Sequence, residues 1–159
     1  MRTLKMAIAI AAAALCVSVP SHADENDKLT YLTFSKPIQL PGKTLPAGRY
    51  RFQLADTQES RRVIKVQTED GKQQLLMLLT VQNQLRDAPK DPVVLFRETA
   101  QGQPDAVRSF NYPGERIGYE FIYPHDQAVA LAKRYHTSVL SKSGDKIERV
   151  NESGEVKAR

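Results

Sequence analysis

RYRFQL, at residues 49–54, alternates strictly between apolar and polar side chains. Tyr50, Phe52 and Leu54 share one side of an extended strand, and the arginines and the glutamine share the other. Because successive side chains of a strand point to opposite sides, this pattern predicts one buried face and one solvated face, which is typical of antiparallel sheets. The preceding Pro46-Ala47-Gly48 predicts a tight turn, since proline presets φ and glycine accepts a positive φ.

A period of two, broken by turn residues at short intervals, continues from residue 29 to residue 123. It predicts further strands at 29–35, 38–40, 62–68, 73–81, 93–98, 107–112 and 117–123. Asp70-Gly71 predicts a hairpin between the strands at 62–68 and 73–81. The segment QQLLMLLTV at 73–81 is apolar on both faces and therefore predicts a central strand that is covered on both sides.

The pattern changes after Pro124, where residues 127–135 have helical spacing and Asp126 is the expected N-cap. From residue 141 onward the chain is polar, which predicts a flexible tail at 141–159, although 137–140 and 146–150 could pair weakly. We expect a single all-β domain over residues 24–140. The candidate folds are an antiparallel β-sandwich and a small β-barrel, each with one short C-terminal α-helix; periodicity does not separate them.

Residues 1–23 have the three parts of a secretory signal peptide. Arg2 and Lys5 precede an apolar run at residues 6–19, and Ser21-His22-Ala23 supplies small residues for cleavage after Ala23. The run is shorter than the ~20 apolar residues that span a bilayer. The sequence therefore predicts a periplasmic or secreted protein without a transmembrane segment in the mature chain.

Cleavage would change the chemistry of the chain. Cys16 is the single cysteine; Leu15 before it does not fit a lipoprotein signal, so we expect it to leave with the signal peptide. Because the mature chain would then contain no cysteine, it could form no disulfide and could provide neither a thiolate nucleophile nor a cysteine ligand for a metal. Removing two of the 23 basic residues leaves 21 against 18 acidic ones, a net charge of +3 instead of +5. The basic residues alternate with apolar ones, as on a solvated sheet face, and no long basic run suggests nucleic acid.

The sequence offers few candidates for catalytic or metal-binding residues. The remaining histidines, His125 and His136, lack the close spacing of a metal pair, and no nucleophile, phosphate or dinucleotide motif is present. We therefore predict no catalytic residue, no metal and no cofactor. Glu115 and Glu120 could form a carboxylate pair of the glycosidase kind, but a chain without tryptophan fits that class poorly, and Glu120 is expected to face solvent.

Two Tyr-Pro corners are the most distinctive feature of the sequence. Each ends a predicted strand, at Tyr112-Pro113 and Tyr123-Pro124. Tyrosines at the end of a sheet can bind a ligand through an apolar ring and a polar tip, or they can seal the core. The candidate ligand-binding residues are Tyr112, Glu115, Tyr119, Tyr123 and His125.

LPGKTLPAGRYRFQL at residues 40–54 and the later pair of motifs, YPG at 112–114 and EFIYP at 120–124, resemble an uncharacterised family of exported bacterial β-domains. The resemblance covers about residues 29–135 and does not extend into the predicted tail. It implies a secreted β domain and transfers no activity, because that family offers no catalytic residue.

These observations favour a non-enzymatic secreted or periplasmic domain that binds an envelope protein or an extracellular ligand, or that has a structural role in the envelope. One alternative is a small carbohydrate-active or hydrolytic enzyme that uses carboxylates near the Tyr-Pro corners. Another is a carrier of apolar ligands, which requires a hollow barrel whose interior is not filled by Phe52, Leu76, Met77 and Phe121.

Overall fold

The computed structural model describes residues 28–57, 60–97 and 103–157 of the chain. The predicted signal peptide lies outside these ranges. Within them, thirteen strands and one helix follow one another. They are β1 (Leu29–Phe34), β2 (Ile38–Leu40), β3 (Lys43–Leu45), β4 (Gly48–Thr57), β5 (Ser60–Thr68), β6 (Gln74–Gln84), β7 (Val93–Phe96), β8 (Asp105–Asn111), β9 (Ile117–Phe121), β10 (Tyr123–Pro124), α1 (His125–Tyr135), β11 (Val139–Ser143), β12 (Lys146–Val150) and β13 (Val156–Lys157).

The strands form two sheets of unequal size. The large sheet has nine strands in the order β1-β4-β5-β6-β9-β8-β2-β3, with β7 paired to β8, and the small sheet is β10-β11-β12-β13. Pairing is antiparallel except between β2 and β8 and between β10 and β11. The large sheet does not close into a barrel. The prediction of an all-β fold with one short helix is confirmed, and the open sheets are consistent with a sandwich.

Aromatic side chains fill the core of the large sheet. The rings of Phe52 on β4 and Phe110 on β8 are 5.8 Å apart, although these strands are not neighbours in the sheet. The sheet therefore curves around one shared core. Tyr50, Phe52 and Leu54 are buried, as the alternation of RYRFQL predicts.

β6 lies between β5 and β9, so its predicted central position is correct. The prediction that both faces of β6 are covered is wrong for one face. Leu78 and Thr80 face the core, whereas the side chains of Met77 and Leu79 are 53% and 43% exposed. The only helix within the described residues, α1, packs against β10, β11 and β12 instead of covering β6.

Helix α1 begins at His125, two residues earlier than its sequence pattern suggests. Its N-cap is Pro124, in an extended conformation (φ −54°, ψ 146°), and no side chain caps the helix. The predicted N-cap role of Asp126 is therefore wrong, because proline already ends the extended segment and sets the first turn. Asp126 lies within that first turn, where a carboxylate suits the helix dipole.

The C-terminal segment differs from the predicted flexible tail and agrees with the alternative in which residues 137–140 pair with 146–150. Residues 139–143, 146–150 and 156–157 form β11, β12 and β13, so ordered structure continues beyond the expected domain end at 140. Val139 and Val150 are directly opposite each other and fully buried against the core. The segment is polar overall because short strands that bury one side need few apolar residues.

Candidate functional site

The two tyrosines of the Tyr-Pro corners, and Tyr119 between them in the sequence, are part of the core. Tyr112, Tyr119 and Tyr123 are all buried. Tyr112 and Tyr119 contact each other edge to face, with ring centroids 5.8 Å apart, and Tyr112 contacts Phe110 in the same way at 4.5 Å. This geometry is the preferred packing of aromatic rings and leaves these phenols no exposed face for a ligand.

Tyr123 joins three elements through its hydroxyl group. The hydroxyl donates to the carbonyl of Val107 at 2.6 Å, and the carbonyl of Gln39 lies 3.2 Å away. Burial raises the pKa of Tyr123 well above its ordinary value. The side chain therefore stays neutral and acts as a structural tie between β10, β8 and β2.

Glu115, the candidate carboxylate in the turn between β8 and β9, forms an ion pair with Lys28 at 2.5 Å. Lys28 also hydrogen-bonds to Tyr119. Burial raises the pKa of Tyr119, and the Lys28 ammonium opposes part of that effect. The three residues fasten the segment before β1 to the β8–β9 hairpin.

His125 is exposed at the start of α1, and its Nδ1 lies 3.4 Å from Oγ of the buried Ser141. A serine nucleophile with a histidine base needs a shorter contact and a third group that orients the ring. Among the described residues, no carboxylate forms a hydrogen bond with His125. The pair therefore lacks the geometry of a catalytic triad.

Glu115 and Glu120 do not share a set of partners. Glu115 pairs with Lys28, which reaches the core residue Tyr119, whereas Glu120 follows Tyr119 in β9 and lies on the opposite side of the sheet. The structure therefore provides no paired carboxylates at the Tyr-Pro corners. The hollow barrel required by the carrier alternative is also not present, since the sheet is open and Phe52 and Phe121 are buried in the core.

Glu120 lies instead among three arginines, which we call the Glu120 cluster: Glu120, Arg97, Arg108 and Arg149. Arg149 on β12 donates two hydrogen bonds to the Glu120 carboxylate, at 3.2 Å and 2.7 Å. Nε of Arg108 lies 3.7 Å from Glu120 Oε1, and Nη2 of Arg97 lies 3.8 Å from the same atom. One buried carboxylate therefore contacts three guanidinium groups.

Arg97 and Glu120 are the buried members of this cluster, with side chains 4% and 5% exposed. Arg97 also donates to the carbonyl of Ser138, just before β11, at 3.3 Å. Burial lowers the pKa of Arg97, but an arginine remains charged at any physiological pH. The cluster therefore connects the large sheet to the small one through a hydrogen-bonded ion network.

Arg108 and Arg149 are the solvent-facing members, with side chains 51% and 39% exposed. Arg108 lies at a register shift in which Leu95 pairs with Ser109 and Phe96 pairs with Val107. Such a bulge re-aims a side chain, and here Arg108 reaches Glu120. The cluster presents these two cations on the side of the large sheet that faces away from the aromatic core, which we call the outer face.

The outer face also carries an apolar strip, defined as Val63, Met77, Leu79 and Val81. Cross-strand partners lie on the same face of a sheet. Val63 on β5 is opposite Leu79, and Val81 is opposite Glu120 of the Glu120 cluster. The strip therefore crosses β5 and β6 and ends at the cluster.

Cations lie on the other side of the strip as well. Lys65 on β5 is directly opposite Met77, and Arg51 lies one strand further out, opposite Gln67. Arg49, also on β4, forms an ion pair with Glu69 at 3.2 Å and lies over the exposed ring of Tyr31. Basic side chains thus flank the apolar strip on both sides.

A depression of 520 Å³ lies at the turn between β5 and β6, lined by polar residues from Thr68 to Gln73. Asp70 accepts hydrogen bonds there from the Thr68 hydroxyl and the Lys72 backbone amide, which lower its pKa. These are the bonds of an ordinary turn. Within residues 28–57, 60–97 and 103–157, no cluster of histidine, cysteine or acidic residues could hold a metal ion, and no helix is long and apolar enough to cross a membrane.

Sequence reasoning missed the outer face. Alternation indicates that Glu120 points away from the core, and from that the sequence predicts exposure. Its burial depends on Arg97 and Arg149, which are distant in sequence, so no local signal could reveal it. The apolar strip has a signal in the sequence, the two apolar faces of QQLLMLLTV, but that signal equally predicts a strand covered on both sides.

Comparisons of the chain with protein-family models, with curated proteins and with solved structures found no match.

Proposed function

We propose that the chain is an exported, non-enzymatic domain that binds a partner in the periplasm or outside the cell through the outer face of its large sheet. The observation that carries this proposal is the exposed apolar strip at the centre of that sheet. Met77 and Leu79 lie on a central strand and are about half exposed. In an antiparallel sheet with one solvated face, these positions are normally polar.

Contiguity distinguishes the strip from ordinary surface residues. Single exposed apolar side chains are common in soluble proteins and need no explanation. Here the four residues are adjacent by strand register and are flanked by charged side chains. A contiguous apolar surface with a polar rim is the usual arrangement of a binding site.

The remaining observations support binding more than catalysis. The tyrosines of the Tyr-Pro corners pack into the core, and the two candidate carboxylates have separate partners. Export is supported by the basic, apolar and small-residue segments of residues 1–23. The resemblance of the LPAG and YPG motifs to exported bacterial β-domains is in line with this location.

Photo-crosslinking in the exporting cell tests the proposal. A photoreactive amino acid replaces Leu79 in one variant and Ile117 in a control variant, since the two side chains are equally exposed and Ile117 lies outside the strip. We expect a reproducible adduct at position 79 and none at position 117. Equal labelling at the two positions, or no adduct at position 79, would contradict a binding role for the outer face.

A further inference from the structure

We infer that the partner of the outer face is an anionic lipid surface. This inference rests on the proposed function, because it names the partner of the same face. Four features support the inference. They are the positive charge around the apolar strip, the aromatic side chain beside it, the strands beneath it that are hydrogen-bonded on both sides, and the poor fit of a second copy of the chain.

The first feature is charge complementarity. Lys65 and Arg51 lie on one side of the apolar strip, and Arg108 and Arg149 on the other. Cations around an apolar centre match a membrane interface, where apolar side chains enter the headgroup region and basic ones contact anionic headgroups.

Two acidic residues that adjoin these cations are already neutralised. Glu120 is buried under its arginines, and Glu69 is paired with Arg49. Little negative charge on this part of the described surface would therefore oppose an anionic bilayer.

The second feature is the aromatic residue at the edge of the face. Tyr31 on β1 is exposed, pairs in register with Arg51 and lies under the guanidinium of Arg49 at 4.9 Å. Tyrosine favours the membrane interface because its ring is apolar and its hydroxyl is polar. The basic side of the face thus includes an interfacial anchor.

The third feature concerns the strands beneath the strip. β5 is paired with β4 and β6, and β6 with β5 and β9, so both strands have a partner on each side. A peptide therefore cannot bind the strip by adding a strand to it. Protein partners also tend to be held by anchors that fill pockets, and the depression of 520 Å³ lies at the β5–β6 turn, beyond the end of the strip.

A second copy of the chain fits the face poorly. A two-fold contact brings the same patch of both copies together. The rim of Lys65, Arg51, Arg108 and Arg149 would then meet a rim of equal positive charge. Repulsion of like charges disfavours such a dimer, whereas the same rim favours an anionic surface.

Co-sedimentation of vesicles with the mature chain, from which residues 1–23 have been removed, tests this inference. One set of vesicles contains phosphatidylglycerol and phosphatidylcholine in equal amounts, and the other contains phosphatidylcholine alone. We expect binding to the anionic vesicles only, with a partition coefficient that falls as salt screens the cations.

Three variants locate the contact. Lys65→Gln should lower the partition coefficient about five-fold, the usual contribution of one basic residue at an anionic surface. Leu79→Gln should lower it at least as much, because it removes apolar contact at the centre of the strip. Ile117→Gln is the matched control and should bind like the parent chain. Near-ultraviolet circular dichroism verifies that each variant is folded.

Equal binding to both kinds of vesicle, or unchanged binding of folded Leu79→Gln, would overturn the lipid assignment. Absence of vesicle binding together with a protein adduct at position 79 would also overturn it, while leaving the proposed binding function intact. Absence of both vesicle binding and any adduct would overturn both proposals.

Discussion

Arg149 of β12 holds the buried carboxylate of Glu120 on β9 by two hydrogen bonds, at 3.2 Å and 2.7 Å. The pair joins the small sheet to the large one, and Arg97 adds a second link through the carbonyl of Ser138. Bidentate arginine–carboxylate pairs are strong and geometrically specific. The relative placement of the two sheets therefore depends on charges that local sequence patterns do not reveal.

Replacing Glu120 with alanine should destabilise the fold strongly. The change removes the buried carboxylate that contacts Arg97 and Arg149, and breaking a buried ion pair costs about 3–5 kcal/mol of unfolding free energy. Urea denaturation of Glu120→Ala and of Glu69→Gln would measure the difference. The Glu69–Arg49 pair is half exposed, so its loss should cost less than about 1 kcal/mol. Similar values for both variants would show that the Glu120 cluster is not structural.

The hydroxyl of Tyr123 should contribute measurably to stability. Tyr123→Phe keeps the ring but leaves the buried carbonyl of Val107 without its hydrogen bond, at an expected cost of about 1–2 kcal/mol. Tyr31→Phe is the matched control, because that hydroxyl is on an exposed side chain. Thermal or urea unfolding compares the two. An effect of equal size in both variants would contradict the assigned role of Tyr123.

Alkaline pH should weaken the fold through the same residue. Burial raises the pKa of Tyr123, and also those of Tyr50 and Tyr119, above the ordinary value of 10.0 that applies to the unfolded chain. A raised folded-state pKa means that this contribution to stability is complete below about pH 10 and is lost as the pH rises further.

Unfolding free energies measured from about pH 8 to about pH 11 should therefore decline at the alkaline end. The decline should be smaller in Tyr123→Phe, which lacks one of the three tyrosines whose pKa burial raises. A parent chain whose stability did not change over this range would refute the burial argument.

The C-terminal strands should be part of the cooperative fold. Val150 is fully buried, whereas Val156 on β13 is about half exposed. Val150→Ala should cost about 2 kcal/mol by loss of buried methyl groups, and Val156→Ala less than about 0.5 kcal/mol. Urea denaturation gives both values. Equal, small effects would indicate that residues 139–157 do not pack on the domain as described.

Sequence patterns predicted what depends on neighbouring residues. Alternation identified β4 and its buried residues, and Asp70-Gly71 identified the turn between β5 and β6. What covers each face depends on distant residues, and there the predictions failed. Glu120 is buried by arginines elsewhere in the chain, and Leu79 is exposed because α1 packs on the small sheet.

In the candidate site, too, local features could be predicted from the sequence, whereas burial could not. Tyr112 directly follows β8, close to the predicted strand end, whereas Tyr123 lies in the separate strand β10 and not at the end of β9. A position at a strand end does not reveal whether a ring points into the core. Tyr119 and Tyr123 are among the most deeply buried side chains in the described residues. The apolar strip of the outer face depends on strand register, which places Val63 opposite Leu79 and Val81 opposite Glu120.

The methyl group of Met77 tests most directly whether the outer face binds the partner, because its NMR signal reports on the apolar strip. After removal of residues 1–23, which contain Met1 and Met6, Met77 is the one methionine left, and it lies in the apolar strip. A chain labelled at methionine and isoleucine methyl groups therefore reports on the strip through one methionine signal. The buried methyls of Ile38 and Ile64 serve as internal references.

On titration with periplasmic extract or anionic vesicles, we predict that the Met77 signal shifts or broadens well before the reference signals do. A Met77 signal that stays unchanged, or that broadens only in step with Ile38 and Ile64, would contradict the claim.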